Sequence, residues 1–549
     1  MDDRVSRFLR FVGWETSGTA AAVSSPVVAV SDARSGIRDL RFPILLTGWT
    51  ITSSAAARAF TEDTVTAVSS VPEGTARFVW ENVPEPLRHE LIGARLTVES
   101  RAAHLWTFDV TTDRRVETLV TLNGKPWFVR VHTAAGAIYL LGISEWPDID
   151  SPVLTEENGW VGLIQLLPVL MFLRHHYADD VWQPPATAFA NFIIDDPLLT
   201  PTYGFMDHRM LATRVGRAGA AATIAFIPWN ARRSEPDVAA LYKGATGLAL
   251  CVHGFEHTAG EFADEDGGRV TERAVAALEG MRLHESLSGV RFDPVMVFPQ
   301  GRFSRQGMIA LARAGFLAAV NTHYLALNDN GTVRLGDLLE PAIGSYGNCP
   351  LFIRRYPGDL DAIRCDLAMG RPAFFVEHHE YFRDGGAAMS RLFDDVAAIR
   401  SDIQWTRLSD AIERIHLVKS NSRLQRQVKF YGRRLAFEAD HDARRTYLFA
   451  TRQRDGAQCD GVIINGQSVP FEAVAGELRF SAELNPSERI RIVVDERERE
   501  APRPVSARPL SHRARVAARR YLSEFRDNRV DTSRVLSRWL TTAKRVAGR

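Results

Sequence analysis

Four short groups of side chains could share one chemistry: Asp195-Asp196, His253-Gly-Phe-Glu-His257, Pro299-Gln-Gly301 and His378-His379. Two imidazoles spaced i, i+4 can address a single metal ion. A carboxylate beside them suits a borderline cation such as zinc, and three protein ligands leave a position open for water. Asp195-Asp196 can supply that carboxylate. Adjacent residues at a strand end point opposite ways, so one is expected on the metal and the other toward substrate. His378 or His379 adds a group that titrates near neutrality, and Glu256, Glu377 and Glu380 lie close by in sequence. Singly, each group has an ordinary explanation. An Asp-Asp pair caps helices, a His-x-x-x-His spacing arises by chance, and His378-His379, like His175-His176, can be surface imidazoles. Their common position gives them weight, because each closes an apolar run.

Those runs are what must position the groups. Between residues 186 and 417, eight of them alternate with helix-like segments: 188–196, 222–229, 247–253, 295–301, 317–323, 351–356, 373–379 and 403–408. Apolar residues at helical spacing fill 270–283 and 306–314. Eight strands alternating with helices predict an α/β protein built on a (β/α) barrel, distorted or incomplete. In such a barrel the carboxyl ends of the strands share one open face, which would gather the four groups into one site. Residues 1–185 read as an accessory domain of strands and turns, with a hairpin at Asn123-Gly124. Residues 427–498 switch back to alternating strands with a second hairpin at Asn465-Gly466, and predict a small C-terminal β-sandwich. Residues 500–549 form a basic tail, helical from about Ser511.

The ordered set resembles the NodB-type polysaccharide deacetylases of carbohydrate esterase family four, part of a barrel superfamily that includes glycosidases. Asn191-Phe-Ile-Ile-Asp-Asp-Pro197 is similar to the first motif of that family, Thr-Phe-Asp-Asp-Gly. His253-Gly-Phe-Glu-His257 is similar to the second, His-Ser/Thr-x-x-His. Val297-Phe-Pro-Gln-Gly301 is similar to the third, Arg-x-Pro-x-Gly, and Phe374-Phe-Val-Glu-His378 to the last, an apolar strand closing in Leu-x-His. The resemblance spans roughly 40% of the chain. It implies a distorted (β/α) barrel and a metal-dependent hydrolase removing N- or O-acetyl groups from a carbohydrate. Asp195 would be the general base and His378 the general acid. Asp196, His253 and His257 would hold a divalent metal, zinc, and Pro299, Gly301 and His379 would lie against substrate. Three positions depart from the pattern: Val297 stands for the arginine that steadies the catalytic Asp, Pro197 for a glycine, and Gly254 for the Ser or Thr of the metal loop. The family's Asp-plus-Trp motif has no clear counterpart, although Trp405 ends the last run.

Composition narrows the partners. The chain has 549 residues, 45% hydrophobic and 24% charged, which excludes a largely disordered, collagen-like or coiled-coil protein. At roughly 100–200 residues per domain it holds about three or four domains. The net charge of +1 hides an asymmetry. Residues 501–549 carry 13 Lys and Arg against 3 Asp and Glu, whereas the first 500 carry 54 against 63. The acidic body disfavours nucleic acid. In the tail, Arg513, Arg515, Arg519 and Arg520 interleave with Val516, Tyr521, Leu522 and Phe525. That pattern fits either a solvated helix or one lying on an anionic membrane surface. Four scattered cysteines fit no disulfide framework or zinc ribbon, and Met1-Asp2-Asp3-Arg4 does not open a signal peptide. The apolar stretch 160–173 is short of the roughly 20 residues that span a bilayer, so it reads as a buried helix. The chain is expected in the cytoplasm, with a peripheral place at the inner membrane if the tail lies on lipid, and acting in bacterial envelope or exopolysaccharide metabolism. The stretch 137–177 weakly resembles the end of a glutamine-amidotransferase-like domain, but no nucleophilic cysteine accompanies it. The competing readings are a catalytically lapsed protein that binds a glycan or an assembly partner, and a glycosidase of the same barrel superfamily.

Overall fold

The computed structural model describes residues 3–14, 27–29, 43–50, 52–81, 89–100, 104–347, 349–453, 457–498 and 509–533. Its centre is a ring of parallel strands: Phe189–Asp195 (β1), Ala222–Phe226 (β2), Leu248–His253 (β3), Phe292–Val297 (β4), Ala318–Asn321 (β5), Leu351–Arg355 (β6) and Ala373–Glu377 (β7). Each pairs with the next, and β1 pairs with both β2 and β7, which closes the ring at seven. The eighth run supplies only Gln404–Trp405 (β8), which pairs with Phe189 and Ala190 at the start of β1. All eight sequence runs are strands, and the incompleteness lies in the last.

The strands read as near-continuous apolar runs because both of their faces are buried. Ile193, Ala225, Cys251, Val295, Val297, Val320, Phe352 and Phe374 fill the interior, while Phe192, Ile194, Leu250, Val252, Met296 and Phe375 pack outward under the helices. The amino-terminal end of the barrel is stoppered by the short helix Leu408–Ile412, three of whose residues join the interior core. Buried Asp293, at the start of β4, fixes that stopper through Arg407 Nη2 (2.9 Å) and the Ser409 hydroxyl. The carboxyl end is left for chemistry.

The amino-terminal region is a seven-stranded sheet whose first three strands, Val27–Ala29, Ile44–Thr47 and Gly136–Leu141, run parallel and whose remainder is antiparallel. The helix Glu156–His176 lies between this sheet and the barrel. Its Phe172 meets Tyr139 of the sheet at 5.0 Å between rings, and its Arg174 donates to the Ala368 carbonyl on the barrel side (3.0 Å). Burial on all sides explains a helix that is apolar all round. No described helix is long and apolar enough to cross a membrane. His175 and His176 at its end are half-buried rather than surface imidazoles. His176 bonds the Tyr139 hydroxyl (2.8 Å), and burial first, then His175 and Arg130, push its pKa down to about 4.

After the barrel, strands from His416 to Glu498 form a five-stranded and a four-stranded sheet that share one core, including Phe430, Tyr447 and Phe449 from the first and Phe437, Val462 and Ile492 from the second. Both Asn-Gly hairpins are present, with left-handed φ of 51° and 80° at Asn123-Gly124 and 49° and 84° at Asn465-Gly466. Cys251, Cys349 and Cys365 are buried, Cys459 is half-buried, and none is in a disulfide. The chain then returns to the barrel as a helix, Leu510–Phe525, extended by one wide turn, Arg526–Val530.

Candidate active site

Strand alternation decides which side chains reach the barrel mouth. In β1, Phe189 and Ile193 face inward, so Asp195 is inward too. In β7, Phe374 faces inward and Phe375 outward. His378 continues that strand with extended backbone (φ −116°, ψ 180°) and keeps the inward parity, so His379 falls on the opposite side. Asp196 breaks the rule. Its φ of 83° is a left-handed bend, which swings the second carboxylate back over the mouth. The expectation that the adjacent carboxylates face opposite ways is therefore corrected: both reach the same site. Such a bend in a non-glycine residue costs about 1–3 kcal/mol and persists only where its surroundings enforce it. His257 (φ 57°) and Gln300 (φ 59°) carry the same bend in the second and third motifs.

Asp196 Oδ1 lies 3.2 Å from His257 Nε2 and 3.6 Å from His253 Nε2, and the three ligand atoms all lie within 4.8 Å of one another. That oxygen is buried with no hydrogen-bond donor. His253 Nδ1 is 3.0 Å from the Val297 carbonyl, which requires the proton on Nδ1 and leaves the Nε2 lone pair turned to Asp196. Burial foremost, with His253 and Arg520 adding to it against Asp196, pushes the His257 pKa down to about 4, so the ring is neutral at pH 7. Burial pushes Asp196 up, but His257, His253 and Arg520 outweigh it and hold the carboxyl below its ordinary range. An orphaned buried carboxylate oxygen faced by the Nε2 atoms of two imidazoles is a donor set that fits a divalent cation.

Asp195, 4% exposed, is gripped by Arg354 at the end of β6, with Nη1 and Nη2 each 2.7 Å from one carboxylate oxygen. Burial pushes this carboxyl up, but the charge of Arg354, then His253, the Arg354 hydrogen bonds and His378 override it, and the group stays ionised throughout the ordinary range. The arginine absent at Val297 is therefore supplied by another strand. The sequence did carry a signal: Leu-Phe-Ile-Arg-Arg puts a charge in a buried apolar run, at the inward parity of Phe352.

The second departure is also compensated. Gly254 has φ 62°, and a Cβ there would meet Glu261 Oε1 at 1.9 Å and Pro299 Cγ at 2.5 Å. Buried Glu261 fills the place of the missing hydroxyl. Its carboxylate accepts from the backbone N–H groups of Phe255 (2.7 Å), Glu256 (3.1 Å), His257 (3.3 Å) and Thr258 (3.4 Å). This clamp shapes the His253–His257 loop. Pro299 thus packs on the second motif, and Gly301 sits against His323. Trp405 packs outside the barrel on Phe375 and Phe393.

The C-terminal helix is seated on this face. Arg233 grips Glu524 with two bonds (2.7 and 2.6 Å), the Tyr203 hydroxyl donates to Asp527 (2.7 Å), and the Gly204 N–H to Asn528 (2.8 Å). His512 meets Glu256 at 2.9 Å, and Arg519 Nη2 donates to the Glu256 carbonyl (2.6 Å). His379 belongs to this seat: it packs by Tyr203 and Phe205 and faces Asp527 at 3.9 Å. The tail is thus not wholly solvated: of its four interleaved arginines, Arg520 is buried and Arg519 turns inward, while Arg513 and Arg515 stay exposed.

No protein-family model matches the chain, and no curated protein does. Several solved structures are similar. A polysaccharide deacetylase described as putative, from Mycobacterium smegmatis, is 15% identical, with 41% of this chain and 90% of that chain covered, at a TM-score of 0.29. A family 4 carbohydrate esterase from Streptomyces lividans, in complex with acetate, is 11% identical over 39% and 90%, at 0.25. Agd3, described as a novel carbohydrate deacetylase, is 9% identical over 89% and 96%, at 0.38. They bear the same family description that the motifs resemble, or a close one. At these identities and scores they carry nothing about chemistry, which rests on the geometry above.

Removing one partner of a buried ion pair costs about 3–5 kcal/mol. Arg354→Met is therefore expected to lower stability by about that much at pH 7, read by chemical denaturation. In the natural protein Asp195 has a depressed pKa, so its contribution is present above the ordinary carboxylate range and lost as pH falls. Without Arg354 the buried carboxyl titrates higher and the protonated form is the stable one. The deficit of the variant should then shrink as pH falls through that raised value, beginning above the ordinary carboxylate pKa of about 4 and continuing below it. A deficit independent of pH would contradict the pairing.

Proposed function

We propose that the protein is a metal-dependent carbohydrate deacetylase, divergent from the carbohydrate esterase family four that its motifs resemble. The observation that carries this reading is the buried Asp196 Oδ1 without a donor, faced by the Nε2 atoms of His253 and His257, beside a carboxylate held ionised by Arg354. Asp196, His253 and His257 would hold the metal, zinc being the best match to one carboxylate and two imidazoles. When bound, that metal supplies Lewis acidity, which activates water and polarises the acyl carbonyl.

The chain's own residues then divide the work. Asp195 takes a proton from the attacking water. Its bidentate clamp fixes where the receiving oxygen sits, although it also makes the carboxylate a weaker base. His378, inward on β7 and close enough for its charge to act on Asp195, hands a proton to the leaving amine or alkoxide. Glu377, pushed up by burial, accepts from the His378 backbone N–H at 3.4 Å. Pro299 and Gly301 form the wall nearest the metal loop, where the sugar would lie. Arg354 weakens the case for a lapsed binding protein, because the guanidinium missing from the third motif is present in the fold. Four cysteines outside any disulfide favour a cytoplasmic setting, and there a lipid-linked or nucleotide-linked sugar of bacterial envelope or exopolysaccharide assembly is the substrate of choice.

Metal content and acetate release test this directly. Purified protein is expected to hold about one zinc per chain and to release acetate from an N- or O-acetylated sugar. His253→Ala/His257→Ala should lose both. Asp195→Asn and His378→Ala should keep the metal and lose about 10²–10⁴-fold in kcat/KM. Metal-free protein that cannot be reconstituted would refute the mechanism.

The outer face of the C-terminal helix supports peripheral attachment to an anionic membrane surface. Leu510, Tyr521, Leu522 and Phe525 are all exposed on it, and Arg513, Arg515, Arg526 and Arg529 are exposed around them. Deleting the tail would also remove residues seated on the barrel, so point substitutions are the cleaner probe. Leu522→Glu/Phe525→Glu should abolish cosedimentation with phosphatidylglycerol vesicles while leaving acetate release from a soluble sugar intact. Unchanged cosedimentation would dismiss the surface.

A further inference from the structure

Arg520 is the one cation of the C-terminal helix placed at the metal cluster. It is 3% exposed, and its charge acts on Asp196, His257 and Tyr203. Yet Nε and Nη2 have no hydrogen-bond partner, and no described carboxylate lies within ion-pair distance of the guanidinium. Each neighbouring arginine has a partner, Arg233 in Glu524, Arg519 in the Glu256 carbonyl and Arg354 in Asp195, although Arg354 Nε is buried without one.

A buried guanidinium with unmet donors carries an uncompensated desolvation penalty. A metal at Asp196, His253 and His257 would add repulsion between two cations. Both costs vanish if a negatively charged oxygen stands between them. The seat on the barrel holds Arg520 in that position through at least five polar contacts that do not involve it. The cleft is open beside it, since the side chains of Asp196 and His257 are 20% and 19% exposed. A planar guanidinium suits carboxylate and phosphate oxygens alike.

We propose that Arg520 binds an anionic oxygen group of the substrate, a carboxylate or phosphate, so that the C-terminal helix makes the site selective for acidic over neutral acylated sugars. This deepens the deacetylase reading and rests on the same site, but it concerns binding and can be measured without turnover.

The test is calorimetric titration of the full chain, metal-loaded and metal-free, with inorganic phosphate, glucuronate and glucose. The natural protein should bind phosphate, glucuronate or both, and not glucose. Whichever of the two anions binds identifies the group. Arg520→Met should weaken that binding roughly 10- to 100-fold in the metal-loaded form with metal content unchanged, and Arg520→Lys should fall between. Protease protection of residues 510–533 shows whether the helix stays seated, and if Met unseats it the Lys variant decides. Equal anion binding by the natural protein and a seated variant overturns the proposal, as does a natural protein that takes neither anion. If instead no form holds metal but Arg520-dependent anion binding persists, the deacetylase reading fails while this one stands.

Discussion

Arg354 and Asp195 face each other across the inside of the barrel, from the ends of β6 and β1, and neither could stay there without the other. An isolated charge at that depth would neutralise or draw in water. Paired through two parallel hydrogen bonds, they set the spacing of two strands that are not neighbours in the ring and keep one carboxylate ionised at the mouth. The cluster of Asp196, His253 and His257 is built outward from that point. Asp196 follows directly from Asp195, and its left-handed bend is tolerable because the residue before it cannot shift.

Around the pair, the site is held mainly by backbone. Glu261 collects the N–H groups of the His253–His257 loop, and the Val297 carbonyl fixes the His253 tautomer. The loop and the third motif touch through Gly254 and Pro299, where a side chain on Gly254 has no room. A set of ligands oriented by backbone and buried carboxylates loses little freedom when a ligand arrives, which is what preorganisation requires.

Much of this was legible in the sequence, for identifiable reasons. Barrel strands buried on both faces appear as uninterrupted apolar runs, so all eight were visible, and local groups such as His253-x-x-x-His257 and the Asn-Gly hairpins declare themselves by spacing alone. Which of His378 and His379 reaches the mouth stayed open, because Phe374 and Phe375 are equally apolar and only the fold shows that Phe374 faces inward. What could not be read was long-range compensation. Arg354 serves Asp195 from 159 positions away, and Glu261 serves a loop whose missing hydroxyl looked like a loss. The bend at Asp196 overrode the alternation rule because strand geometry ends one residue earlier. The seat of the tail could not be read, because it depends on side chains such as Arg233 and Tyr203 that only the fold brings together, whereas its composition reports only the arginines and apolar residues of an amphipathic helix.

The seating of the last helix on the barrel bears on how the protein comes into being. Ribosomes deliver a chain from its amino terminus, so the barrel and both trailing sheets can fold before residues 510–533 emerge. Until then the mouth of the barrel is bare, with Glu256, Tyr203 and Arg233 still waiting for their partners. Completion of the site is thus a late event in biogenesis, and a chain cut short anywhere behind the second sheet would be a well-folded barrel lacking the face on which Arg520 is presented.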